Sequence, residues 1–186
     1  MCTICLSRRG LFAGMGALAA TASLGAATAS AQPVVRSADS PDAAIARLME
    51  GNARYVAGQT VQKDFSAGRA ARAQGQKPFA AILGCADSRV AGEYVFDQAP
   101  GELFVVRVAG NFVTPDGLGS LEFGAAVLGT KVIMVLGHTS CGAVNATVEA
   151  LQKGNNLPGH IAGLVTAMKP GIEPVMKTPG ADLQQR

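Results

Sequence analysis

The chain has 186 residues, with 16 Lys and Arg against 13 Asp and Glu and a formal charge of +3. That near balance excludes the basic footprint of a nucleic-acid-binding protein, and the length suits one domain around one core. No Gly-Lys-Ser or Gly-Lys-Thr phosphate loop occurs, and Gly117-Leu118-Gly119 lacks the third glycine of a dinucleotide loop, so nucleotide binding is unsupported as well.

The first segment reads as a targeting signal. Ser7-Arg8-Arg9-Gly10-Leu11-Phe12 opens into an uncharged, weakly apolar stretch from Leu11 to Ala29, and Ala29-Ser30-Ala31 before Gln32 is a small-residue cleavage site. The paired arginines predict a twin-arginine signal over residues 1–31, a mature domain over residues 32–186 and a periplasmic location. The stretch is rich in Ala, Gly, Ser and Thr and makes a poor hydrocarbon span, so no stable membrane anchor is expected after cleavage. Arg8 and Arg9 leave with the signal while no Asp or Glu does, which lowers the charge from +3 to +1. Cys2 and Cys5 leave too. Two close thiols, Cys85 and Cys141, would tend to oxidise in that compartment unless a metal held them as thiolates. A disulfide between them is the competing reading, and it gives Asp87, Arg89 and His138 no role.

Ser40-Pro41-Asp42 starts a helix, on which Ile45, Leu48, Met49 and Val56 recur at helical spacing. Residues 57–77 have no clear period and predict a loop with a short helical piece. Three apolar runs, Phe79 to Gly84, Leu103 to Arg107 and Val132 to Leu136, read as buried parallel strands covered on both faces. Between them fall helices over Val90 to Phe96 and over Leu118 to Leu128, the latter capped by Ser120 with Leu121, Ala125 and Leu128 on one face. Ala143 to Leu151 is a further helix, and Ile161, Leu164, Val165 and Met168 mark a last amphipathic stretch before Pro170-Gly171. His160 is a loop or helix-start residue. Strands alternating with helices imply an α/β fold, a parallel-core β-sheet flanked by helices.

Ligands of open parallel sheets bind at the carboxyl ends of the strands. Cys85 follows the first apolar run and His138 the third, with Cys141 three residues later at the N-terminus of a helix, where backbone N–H groups favour a thiolate. Cys85, His138 and Cys141 thus form a candidate Cys2His zinc site, and three protein ligands leave a tetrahedral ion one open position. Asp87 and Arg89 stand two and four residues beyond Cys85, and a planar guanidinium can hold a carboxylate in a bidentate pair. Asp87 can then orient a group on the metal or fill the fourth position itself, with Arg89 deciding between the two.

These motifs, Cys85-Ala86-Asp87-Ser88-Arg89-Val90, Phe96 to Asn111 and Gly137-His138-Thr139-Ser140-Cys141-Gly142, together with Leu48 to Tyr55, closely resemble those of the β-class carbonic anhydrases, over most of the chain to about Lys169. The resemblance implies zinc held by Cys85, His138 and Cys141, a catalytic Asp87–Arg89 dyad, and a lyase that reversibly hydrates carbon dioxide to bicarbonate and a proton by zinc-bound hydroxide. It further implies substrate contacts from Gln76, from the backbone N–H of Gly142 and from Phe104, the last often placed across a dimer interface. Phe123 stands where some members carry a tyrosine. A homodimer or larger assembly is implied in the same way. The chain ends at Asp182 to Arg186, where the family pattern continues into a further helix and fifth strand, so the fold is expected without its last helix and edge strand. Two other readings keep the same ligands: a hydrolase of carbon disulfide or carbonyl sulfide, and a truncated zinc-binding protein without turnover.

Overall fold

A computed structural model describes residues 38–62, 64–66, 68–154 and 156–178. The expected export signal and the terminal residues 182–186 lie outside the described residues. Helix α1 spans Pro41–Val56 and α2 Arg69–Arg72; strand β1 is Ala80–Cys85; α3 is Gly92–Val95; β2 is Leu103–Val108; α4 is Pro115–Ala126; β3 is Ile133–Leu136; α5 is Gly142–Lys153 and α6 is Ile161–Met176. No helix among the described residues is long and apolar enough to cross a membrane.

The three strands form a parallel sheet in the order β2-β1-β3. Every residue of β1 is buried, because it is the central strand and both its faces are covered. On one face Phe79, Ala80, Ile82 and Leu103 pack with Ala44 and Leu48 of α1 and with Phe96. On the other, Ala81 and Leu83 pack with Leu121 of α4, with Phe104 and Val106 beside them. Burying these side chains contributes roughly 25 cal/mol for each Å² of apolar surface removed from water. The run at β3 departs from the expected doubly covered strand: Ile133 and Val135 are 46% and 61% exposed. β3 is the sheet's edge, and α4 lies over β1 and β2 rather than over it.

Helix α1 begins as expected, with the Ser40 hydroxyl accepting from the N–H of Ala43 at 3.2 Å and Pro41 in the first turn. Its inward stripe is different from the expected one. Ala44, Leu48 and Gly51 are buried, whereas Ile45, Met49 and Val56 are exposed. The cause is close packing against the end of α3, since a Cβ built on Gly51 would lie 1.8 Å from the carbonyl oxygen of Phe96. Gly51 has to face inward, and Ala44 and Leu48 share its side of the helix, which turns Ile45, Met49 and Val56 out.

Two helix boundaries also move. Helix α4 starts at Pro115, three residues before Leu118, and its cap is Thr114, whose hydroxyl accepts from Gly117 N–H at 3.0 Å. Ser120 donates inside the helix to the carbonyl of Asp116. Thr114-Pro115-Asp116 is the same start signal as Ser40-Pro41-Asp42. The buried stripe is accordingly Gly117, Leu121 and Gly124, and Ala125 is exposed. Helix α6 runs past Pro170 and Pro174 to Met176. Both prolines are solvent-facing, so the carbonyls that lose a helical partner can be hydrated, while Val165 and Met168 are buried and α6 packs on α5.

Candidate metal centre

The register of the sheet brings the ligands together. Cys85 is the last residue of β1 and pairs with Val108, and Gly84 pairs with Leu136 of β3, so the chain leaving β3 enters Gly137-His138 beside Cys85 at the carboxyl edge. Ser140 then takes a left-handed backbone conformation (φ 55°), turning the chain so that Cys141 becomes the N-cap of α5. A non-glycine residue holds that conformation at a cost of about 1–2 kcal/mol.

The ligand atoms of Cys85, His138 and Cys141 all lie within 4.8 Å of one another. Both cysteines are free and buried, and their sulfurs are 3.8 Å apart. Two thiolates each about 2.3 Å from a tetrahedral ion would be separated by roughly 3.8 Å. The competing disulfide is therefore not formed, and the sulfurs sit at the spacing that a shared ion needs.

His138 is oriented for the same task. Its Nδ1 lies 2.9 Å from the carbonyl oxygen of Thr139, which can only accept, so Nδ1 carries the proton. The neutral ring then presents its Nε2 lone pair, and Nε2 is buried with no hydrogen-bond partner. An orphaned buried nitrogen aimed at two thiols is a ligand position, and two sulfurs with one imidazole suit zinc. Burial pushes the Cys85 thiol up, but the N–H groups of Gly110 and Asp87 and the adjacent His138 and Cys141 pull it further down, to about 7. Gly110 donates to that sulfur at 3.3 Å and Asp87 at 3.5 Å. Gly110 must be glycine: its φ is +88°, and a Cβ there would lie 2.2 Å from the sulfur of Met168.

Asp87 stands beside the three donors, with one carboxylate oxygen 3.8 Å from His138 Nε2. Arg89 grips it with Nε at 2.8 Å and Nη2 at 2.7 Å, and the Arg89 backbone N–H adds a third bond at 3.0 Å. The Arg89 side chain and then its backbone N–H hold the Asp87 carboxyl well below the usual carboxylate range. The same guanidinium donates to the Ser140 carbonyl at 3.3 Å, linking the two halves of the site.

The other residues expected at the site are distributed differently. Gly142 opens α5 beside Cys141, and its α-carbon faces open space. Gln76 is exposed and lies in the irregular segment four residues before the amino end of β1, whereas Cys85 is at the strand's carboxyl end. Phe104 pairs with Ala81, about 13 Å upstream of the Cys85 level, and packs beside Phe123 with ring centroids 6.3 Å apart. Within one chain the backbone of Phe104 is therefore four residues short of the level of the metal ligands. Sequence reasoning missed Gly110 and Arg107. The signal for Arg107 was a charged residue closing an otherwise apolar strand.

This fold and donor set define a metal-site protein of the β-carbonic-anhydrase type. The family model described as carbonic anhydrase matches residues 80–186, and the chain belongs to that family. It is 47% identical over 133 residues to carbonic anhydrase 2 of Mycobacterium tuberculosis, covering 71% of this chain and 64% of that relative. A carbonic anhydrase of Mycolicibacterium smegmatis is 46% identical over 133 residues, covering 71% and 65%. The chain thus spans slightly under two thirds of the length of these curated relatives. Among solved structures it resembles the Coccomyxa beta-carbonic anhydrase in complex with acetazolamide, with a TM-score of 0.55 and 29% identity over 75% of this chain and 63% of that one. The beta-carbonic anhydrase CcaA gives a TM-score of 0.55 with 26% identity over 75% and 71%.

Proposed function

We propose that this chain is a zinc-dependent carbonic anhydrase that interconverts carbon dioxide with bicarbonate and a proton. The observation that carries the reading is the convergence of Cys85, His138 and Cys141, with sulfurs 3.8 Å apart, beside a carboxylate locked by Arg89. Bound by these three residues, zinc would supply a Lewis acid that makes water nucleophilic near neutral pH.

The remaining work falls to side chains and backbone. Asp87, kept ionised, can only accept hydrogen bonds, so it selects a protonated oxygen beside the metal ligands and turns its lone pairs toward the substrate carbon. Arg89 keeps that carboxylate from swinging into a ligand position. Gly142, at the N-terminus of α5, offers an N–H and the positive end of a helix dipole to the charge developing on bicarbonate. Phe104 pairs with Ala81 near the amino end of β1 and Gln76 precedes that strand, so in this reading they line the pocket of a second copy, with a homodimer as the working form. Export to the periplasm by the twin-arginine route belongs to the same reading and rests on Arg8-Arg9 and the apolar stretch behind them.

Stopped-flow measurement of proton release on mixing zinc-loaded protein with carbon dioxide tests the activity. Catalysis well above the buffer rate, with weaker turnover of carbon disulfide and carbonyl sulfide, is expected. No acceleration by a folded protein holding one zinc per chain would overturn it.

A further inference from the structure

We infer that Arg107 is a positioning residue for this site, one that sets the place of Asp87 through the backbone while Arg89 sets the direction of its carboxylate. The inference rests on the metal-site reading above for its consequences in turnover, but its geometric content is independent of the substrate.

Arg107 is the penultimate residue of β2, exposed, and its partner across the sheet is Gly84. The Arg107 stem passes over Gly84 at ordinary contact distance, 3.9 Å from where a Cβ of residue 84 would stand, so the arginine lies across the strand end without strain. Its guanidinium leaves β2 and reaches the segment that follows β1. Nε donates to the carbonyl of Cys85 at 2.8 Å, and Nη2 donates to the carbonyl of Asp87 at 2.6 Å. One rigid, planar cation thus holds the backbone of the first metal ligand and of the site carboxylate in a fixed relation.

The need for such a clamp follows from where the sheet stops. The ladder between β1 and β2 ends with the Ala86 N–H bonded to Val108 at 3.1 Å. Asp87 lies one residue beyond, where the ladder no longer constrains it, and the next backbone-to-backbone bond is the turn from Val90 N–H to the Asp87 carbonyl at 3.1 Å. Arg89 is part of that same turn, so the three bonds between Asp87 and Arg89 hold the pair together without fixing it to the sheet, to which its own ties are the longer contacts with the Cys85 sulfur and the Ser140 carbonyl. Arg107 comes from a different strand. Its bond to the Asp87 carbonyl, at 2.6 Å, is the shortest tie of that unit to its surroundings, beside the 3.5 Å contact of the Asp87 N–H with the Cys85 sulfur and the 3.3 Å bond of Arg89 to the Ser140 carbonyl, and it fixes the unit relative to His138 Nε2, 3.8 Å from the Asp87 carboxylate.

A merely structural strand-end arginine would affect folding alone, so the test uses readouts that folding does not move. Wild type, Arg107→Met and Arg107→Lys are loaded with cobalt(II) in place of zinc, and their visible absorption is compared. The zinc forms are assayed for carbon dioxide hydration. In Arg107→Met, with one metal per chain, the cobalt bands are expected to shift as the carboxylate changes its distance from the metal ligands. Its kcat should fall by about 30-fold or more with KM within about twofold, the pattern of lost alignment. Arg107→Lys, able to reach one carbonyl, should restore part of both. Cobalt bands identical to wild type in a folded Arg107→Met overturn the proposal, as does a kcat within twofold of wild type. Should Arg107→Met fail to fold, Arg107→Lys decides by the same criteria, unchanged bands and kcat counting against the clamp. A wild-type protein that binds cobalt but hydrates no carbon dioxide defeats the proposed function, and the cobalt spectra still decide the role of Arg107.

Discussion

Arg89 and Asp87 are joined by three hydrogen bonds, two from the guanidinium at 2.7 and 2.8 Å and one from the Arg89 backbone at 3.0 Å, two residues apart in the chain. So short a loop leaves the carboxylate little freedom to rotate. It stays ionised, accepts only, and lies 3.8 Å from His138 Nε2. Replacing Asp87 by Asn keeps the volume but puts an NH2 group where one of the paired oxygens was, opposite an arginine that only donates. Asp87→Asn is expected to retain one zinc per chain while losing about 100-fold in kcat, read by stopped flow and metal analysis together.

Removing the metal should expose the second chemistry of the two thiols. With sulfurs 3.8 Å apart and no ion between them, a small adjustment brings Cys85 and Cys141 to bonding distance. Chelated protein treated with a mild oxidant is expected to lose two hydrogens by mass and both titratable thiols of this pair, and to regain activity only after reduction and zinc. Zinc-loaded protein under the same oxidant should keep its thiols.

Asp97 gives a pH-dependent contribution to stability that does not involve the metal ligands. It is 2% exposed, takes a left-handed backbone conformation, and accepts from Arg54 at 2.6 Å and from the N–H groups of Val61 and Gln62 at 3.1 Å each. Burial pushes its carboxyl up, and the Arg54 bond with the two N–H groups outweighs it, so the pKa lies below the usual value. A depressed carboxyl contributes fully above its unfolded pKa of about 3.9 and loses that contribution as pH falls through the folded value. Asp97→Asn should cost about 2–3 kcal/mol at pH 7 in urea titrations, and the gap to wild type should narrow below about pH 4.

Two glycines predict opposite signs for one kind of substitution. A methyl on Gly51 would lie 1.8 Å from the Phe96 carbonyl, so Gly51→Ala must push α1 off α3 and should destabilise by about 3 kcal/mol or more. Gly119 is exposed within α4 and a methyl there meets nothing within 4 Å, so Gly119→Ala should stabilise by about 0.5–1 kcal/mol. Urea midpoints of the two variants against wild type settle both signs.

Export is checked in vivo. A reporter carrying residues 1–31 is expected in the periplasm, and changing both Arg8 and Arg9 to Lys should hold it in the cytoplasm. Equal export of the two forms would count against the twin-arginine reading.

The chemistry was legible in the residues because metal ligands come from few residue types and strands end where apolar runs end. Cys85 and His138 each follow such a run, and a parallel sheet can only gather them at one edge. Capping was legible where Ser40-Pro41-Asp42 announced it. The equivalent Thr114-Pro115-Asp116 carries the same signal, and it is Thr114 that caps α4 while the Ser120 hydroxyl, the expected cap, bonds inside the helix.

What tertiary structure decided was whatever depends on register and on distances between elements remote in the chain. Spacing alone could not say which stripe of α1 faces inward, because apolar residues lie on more than one side and the choice fell to the 1.8 Å constraint at Gly51. Nor could it place Phe104 four residues from the level of Cys85, since that follows from the direction of β1 and the pairing of Phe104 with Ala81. The bonds from Arg107 to the Cys85 and Asp87 carbonyls and from Gly110 to the Cys85 sulfur join positions some twenty residues apart. A sequence names the ligands through their chemistry. Only the sheet's register, a property of hydrogen bonds between distant segments, determines what holds those ligands in place.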